Sequence, residues 1–121
     1  MTTMPTAAVA AYLDTWNATD PAVRAALLAD HWTEDAAYTD PLAEVTGRAQ
    51  IGAAIAGVHE QFPGFVFTAV GEPDAHHRQV RFRWGLGPAG VEPPIVGFDV
   101  LVTDGAGRIC TVLGFLDRVP D

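Results

Sequence analysis

Ile95-Val96-Gly97-Phe98-Asp99-Val100-Leu101-Val102 is a run of strand-forming residues, apolar on both faces and broken at its centre by one acid. Turn-forming residues bound it, with the loop 87–94 before it and Asp104-Gly105-Ala106-Gly107 after it. Outward from it lie three more period-two stretches, 65–70, 80–86 and 109–116, and Pro73-Asp74 separates the first two. Connections this short predict an antiparallel meander. Within 80–86 the alternation is clean, with Val80, Phe82, Trp84 and Leu86 facing one way and Arg81 and Arg83 the other. The apolar set is expected on the concave face of the sheet.

Ahead of the meander the period is helical. Val9, Tyr12, Leu13 and Trp16 share one face of a helix predicted over residues 5–17. Asp20-Pro21 supplies an N-cap and a proline in the first turn of a second helix through Leu27 and Leu28. Residues 31–40 read as a short strand stopped by Asp40-Pro41. Ile51, Ile55, Val58 and Phe62 then mark a third helix over 47–62, ended by Pro63-Gly64. Helices packed on a bent sheet make an α+β layer fold whose concave side must be filled by side chains or by a ligand.

With 121 residues the chain is read as one domain, residues 1–121, without repeats or linkers. A formal charge of −8, carried against seven arginines and no lysine, disfavours nucleic acid or an anionic membrane as partner. No apolar run reaches the roughly 20 residues of a membrane span, and the first residues lack the basic region of a secretory signal. The expectation is a soluble, cytoplasmic protein. The single cysteine, Cys110, gives neither an internal disulfide nor a thiolate metal cage, and reads as a small hydrophobe on a strand.

Asp99 is the residue that packing alone explains least. Ionised in apolar surroundings it would lose several kcal/mol of hydration. Protonation avoids that loss and leaves a hydrogen-bond donor, as at many functional sites, although a structural pairing with an arginine would account for the same carboxyl. By local pattern alone, Asp40 is a turn residue before Pro41, and Tyr12 is a core residue with its hydroxyl at the rim.

Taken together, Tyr12, Asp40 and Asp99 stand where the chain resembles the ketosteroid isomerases of the nuclear transport factor 2-like superfamily, which also holds the SnoaL-like polyketide cyclases. The resemblance runs through Tyr12 with Asn17-Ala18-Thr19-Asp20, Leu28-Ala29-Asp30, Tyr38-Thr39-Asp40-Pro41, the helix opening at 47–55, and the hairpin from Asp99 to Ile109. It implies a cystatin-like cone of three helices on a strongly curved, mainly antiparallel sheet around an internal apolar pocket.

The resemblance also implies roles. Asp40 would be the base that moves a proton at carbon beside a ketone, and Tyr12 with a protonated Asp99 would hydrogen-bond the developing oxyanion. Trp16, Tyr38, Phe82, Trp84, Leu86, Val112, Gly114 and Leu116 would contact the substrate. Trp84 is bulkier than a steroid-sized pocket calls for, and Gly114 partly restores room. Tyr38 stands near Asp40, and not where further tyrosines extend the oxyanion chain in some isomerases. A homodimer through the outer sheet face, with Arg81 and Arg83 on it, is implied as well.

No serine triad, phosphate-cradling loop or dinucleotide fingerprint is present, so cofactor-free and metal-free chemistry is expected. His76-His77 reads as an exposed turn, and His59 as a surface residue before it reads as a rim histidine or a second acid/base. Three functions follow: an acid/base enzyme on a small apolar carbonyl compound, a non-catalytic small-molecule carrier, or a structural dimer with Trp84 filling the concavity.

Overall fold

In the computed structural model, which describes residues 6–120, three helices pack on one six-stranded sheet. The order is α1 (Thr6–Asn17), α2 (Pro21–His31), β1 (Trp32–Thr39), β2 (Glu44–Thr46), α3 (Arg48–Gln61), β3 (Phe65–His76), β4 (Gln79–Pro88), β5 (Ile95–Thr103) and β6 (Ile109–Arg118). Pro5, where the first helix is expected to begin, lies outside the described residues.

Each helix forms for a local reason. On α1, Ala8, Val9, Tyr12, Thr15 and Trp16 are buried, which is the apolar stripe of a 3.6-residue period. The Asp20 carboxylate accepts from the amides of Ala22 (2.8 Å) and Val23 (3.4 Å), and Pro21 opens α2 without a donor to leave unpaired. Gly47 starts α3 at φ +91°, a left-handed conformation that suits glycine. Ile51 and Ile55 drive α3 into the core.

The strands lie in the order β2-β1-β6-β5-β4-β3. The meander β3 to β6 is antiparallel throughout, as expected, whereas β1 joins β6 in parallel. The helices do not all precede the strands, because the β1–β2 hairpin comes between α2 and α3. Three-residue β2 is too short to carry a period-two pattern, and its pairing with β1 is what creates it.

Pro73-Asp74 does not end β3. It falls in a register shift between Val70 and Asp74 on the edge strand, where the missing proline N–H breaks no ladder bond, and the turn moves to His77, at φ +54°. His76 and His77 are exposed there, as the sequence suggests. Arg81 and Arg83 face outward and pair with Asp74 (3.3 Å) and Asp117 (3.6 Å) in half-exposed ion pairs that contribute little to stability. No described helix is long and apolar enough to cross a membrane.

Candidate active site

A cavity of about 250 Å³ opens between the helices and the inner face of the sheet. Tyr12 and Trp16 of α1, Tyr38 and Asp40 at the end of β1, and Trp84 and Leu86 of β4 line it, with Ile95, Leu116, Phe67, Val58 and Phe62 completing apolar walls. Leu42, Gln61, Val119 and Pro120 surround its mouth. Asp40 is the single charged group among these residues.

Asp99 does not itself line the cavity. It sits on the inner face of β5, 2% exposed, behind Tyr12, whose hydroxyl donates to its Oδ2 at 2.5 Å. Burial is the main force on its carboxyl and pushes the pKa from 3.8 up to about 6. The Tyr12 hydrogen bond and the nearby Trp84 indole restrain that rise, and the charge of Asp40 adds to it. The Trp84 N–H is buried and closes no hydrogen bond, so its effect on Asp99 is that of a neighbouring dipole. Burial, with Asp99 beside it, also pushes the Tyr12 phenol well above its ordinary value, so Tyr12 stays a donor.

Asp40 makes a second tyrosine–carboxyl pair. Its Oδ1 accepts from the amides of Leu42 and Ala43, both at 2.8 Å, closing the β1–β2 turn. Its Oδ2 accepts from the Tyr38 hydroxyl at 2.5 Å. Tyr38 is two residues upstream, so strand geometry puts the two side chains on one face. Burial, then the charge of Asp40, raises the Tyr38 phenol far above the usual range.

Two glycines make room for these groups. Gly97 pairs with Trp84, and a Cβ there would run into the six-membered ring of the indole, which therefore lies across the glycine. Gly114 pairs with Asp99, and a Cβ there would stand 2.8 Å from Asp99 Oδ1 and 3.2 Å from Asp40 Cβ. The Asp99 carboxyl and the Asp40 side-chain stem thus meet over one glycine of β6.

The structure brings together Tyr12, Tyr38, Asp40 and, one layer back, Asp99, with Trp16, Trp84, Leu86 and Leu116 on the cavity wall. Phe82, Val112 and Gly114, expected on that wall, are not on it. Phe82 packs edge-on behind Tyr12 at 5.5 Å, and Val112 is fully buried. Because Trp84 folds over Gly97, it leaves the concavity open, contrary to a filled-core dimer.

His59, expected at the surface, is half-buried, and its Nε2 bonds the Trp16 carbonyl at the end of α1 (2.7 Å). Cys110 is only half-buried on β6. Sequence reasoning missed the lining residues Phe67, Ile95, Val58 and Phe62. The inward alternation of Ile95 and Phe67 on their strands was the available signal. Among the described residues no three His, Cys, Asp or Glu side chains gather where they could hold a metal ion.

The SnoaL-like domain family matches residues 9–112. A proposed isomerase of the SnoaL-like family from Agrobacterium tumefaciens is 36% identical and superposes with a TM-score of 0.87, over 92% of this chain and 95% of its own. A proposed ketosteroid isomerase from Kribbella flavida, 22% identical, gives 0.71 over 100% of this chain and 84% of its own. An epoxide hydrolase from Mycobacterium tuberculosis, resembling the LEH type and 19% identical, gives 0.67 over 96% and 84%. The last two likenesses are of fold. No curated protein sequence matches the chain.

Proposed function

Because this chain belongs to the SnoaL-like domain family, whose fold serves isomerases, cyclases and epoxide hydrolases alike, we propose that it is a cofactor-free acid/base enzyme acting on a small apolar carbonyl compound. The observation that carries this reading is the pair of tyrosine–carboxyl contacts, Tyr12–Asp99 and Tyr38–Asp40, beside one apolar cavity. Asp40 is the base. It takes a proton from the carbon next to the carbonyl, the electron pair moves to the carbonyl oxygen, and the proton returns at the same or another carbon. Isomerisation, cyclisation or an aldol-type step can follow from the enolate.

Tyr12 is the donor that faces the developing oxyanion, in a site where exclusion of water makes each donor count for more. Asp99, set behind Tyr12, acts through it: it accepts the Tyr12 hydroxyl, and its pKa, raised to about 6, lets it take up a proton below neutral pH and so release the Tyr12 hydrogen to the oxyanion. Trp16, Trp84, Leu86 and Leu116 hold the apolar body of the substrate. At about 250 Å³ the cavity is smaller than the roughly 300–1,000 Å³ that encloses drug-sized ligands, so a compact substrate fits best. The enzyme acts as a cytoplasmic homodimer through the outer sheet face, where Leu113 and Phe115 are exposed, and sedimentation velocity tests the dimer.

Exchange of the α-hydrogens of 2-tetralone with deuterated water, followed by proton NMR, tests the enolisation. The protein should accelerate exchange, and Asp40→Asn should abolish the acceleration with the fold intact. Equal exchange by the variant would remove Asp40 as base.

A carrier is the second reading, favoured by the three hydrogen bonds that the Asp40 carboxylate already accepts from turn amides and Tyr38. A carrier binds 2-tetralone without speeding its exchange.

A further inference from the structure

The indole of Trp84 lies down on the sheet. Its six-membered ring crosses Gly97, the residue it pairs with on β5, and a Cβ at Gly97 would overlap Cζ2 and Cε2 and stand 2.7 Å from Cη2. Its N–H is buried beside Asp99, so the ring surface and not the donor borders the cavity. On the helix side the cavity is bounded by Trp16 of α1, Val58 of α3 and Phe62 at the end of α3. Phe67 touches both indoles, with ring centroids 5.2 Å from Trp16 and 5.5 Å from Trp84. One phenyl ring therefore spans the gap from the helix-side indole to the sheet-side one.

We propose that Trp84, seated on Gly97, is a specificity-determining residue that sets the clearance between sheet and helices, so that the site admits carbonyl compounds one ring thick and refuses globular ones. The inference rests on this cavity being the substrate site.

The indole has little room to retreat. Behind it is the β5 backbone at Gly97, already as close as the absence of a side chain permits, and Phe67 packs against it edge-on. A thick ligand would have to displace the ring or part the helices from the sheet, and volume forced into a packed site costs free energy as overpacking does. Gly97 is the other half of the arrangement. A methyl group there would lift the indole off the strand toward the helices, because the sheet blocks the way back, and would narrow the same gap.

Two methyl ketones of similar apolar bulk test this: 2-acetylnaphthalene, which is flat, and 1-acetyladamantane, which is globular. Burial of apolar surface alone would bind them about alike. Dissociation constants come from equilibrium dialysis, with displacement by 2-tetralone marking the cavity. The parent should prefer the flat ketone by at least about tenfold. Trp84→Ala should bring the preference to within about threefold by gaining affinity for the globular ketone, and Trp84→Leu, which keeps more of the packing, should move it the same way. Gly97→Ala should weaken the flat ketone about tenfold with Trp84 in place, and change it less than about twofold in the Trp84→Ala background.

Equal binding of the two ketones by the parent, a preference that persists in both Trp84 variants, or a Gly97→Ala variant that binds the flat ketone as the parent does overturns the proposal. Thermal unfolding followed by circular dichroism verifies that each variant is folded. Exchange of the methyl hydrogens of 2-acetylnaphthalene with deuterated water separates this proposal from the enzymatic reading. Selective binding without exchange removes the enzyme and upholds Trp84, whereas exchange without selectivity overturns Trp84 alone.

Discussion

Gly114 faces Asp99 across the β5–β6 ladder so closely that a Cβ on it would stand 2.8 Å from Asp99 Oδ1. That carboxyl is short, buried and held by Tyr12, so it has little freedom to retreat. Gly114→Ala should therefore push it off Tyr12 or bend β6 away, at a cost of about 1–3 kcal/mol for overpacking. Urea denaturation measures the cost, and a variant as stable as the parent would mean that the two strands adjust freely.

Asp99 should also set a pH dependence of stability. A buried acid whose folded pKa lies above its unfolded value binds more protons in the folded chain between those values, so stability falls as pH rises through that window. The window runs from 3.8 to about 6, and above it the full cost, on the order of 3 kcal/mol, is in place. Asp99→Asn stays neutral and lacks this term. Its stability relative to the parent should therefore improve by about that amount between about pH 3.5 and about pH 7.5, read from urea denaturation at both ends. A constant difference would show that Asp99 titrates alike in the folded and unfolded chain.

Tyr12→Phe isolates the restraint that the phenol places on Asp99. The Tyr12 hydrogen bond favours the ionised carboxylate and opposes burial. Without it the Asp99 midpoint should move above about 6, which carbon-13 NMR of labelled aspartate would follow. A midpoint that falls would mean that the Tyr12 hydroxyl favours the protonated acid instead of the carboxylate.

Much of this arrangement was legible because it follows from periodicity. Val80, Phe82 and Leu86 are buried, while Arg81 and Arg83 are exposed, as strict alternation requires of a half-buried strand. Asp20-Pro21 caps α2 by chemistry local to four residues. What stayed hidden depends on pairing across the sheet. Nothing near Gly97 or Gly114 reveals that the partners Trp84 and Asp99 need the absent side chains. The parallel β1–β6 pairing, which brings Asp40 to Gly114, is a long-range fact of the same kind. The Tyr38–Asp40 contact could have been read more fully, since residues two apart on a strand share a face. His59 was misjudged because its partner is a backbone carbonyl of another helix, which no side-chain pattern marks.

Asn17 ends α1 and ties it to the cavity wall. Its side-chain amide accepts from the Phe67 amide at 2.7 Å and donates to the Phe67 carbonyl at 2.9 Å, so it serves edge strand β3 as one residue of a neighbouring strand would. Phe67 in turn packs against Trp16 and Trp84, at 5.2 Å and 5.5 Å. Asn17→Ala leaves both backbone groups without a protein partner in a part-buried position, a loss of about 2 kcal/mol. Asn17→Asp keeps the acceptor for the Phe67 amide but turns an oxygen toward the Phe67 carbonyl, so it should not rescue stability. Hydrogen exchange at the Phe67 amide reads the contact directly. Protection should fall in the alanine variant, and unchanged protection would show that β3 holds its place without α1.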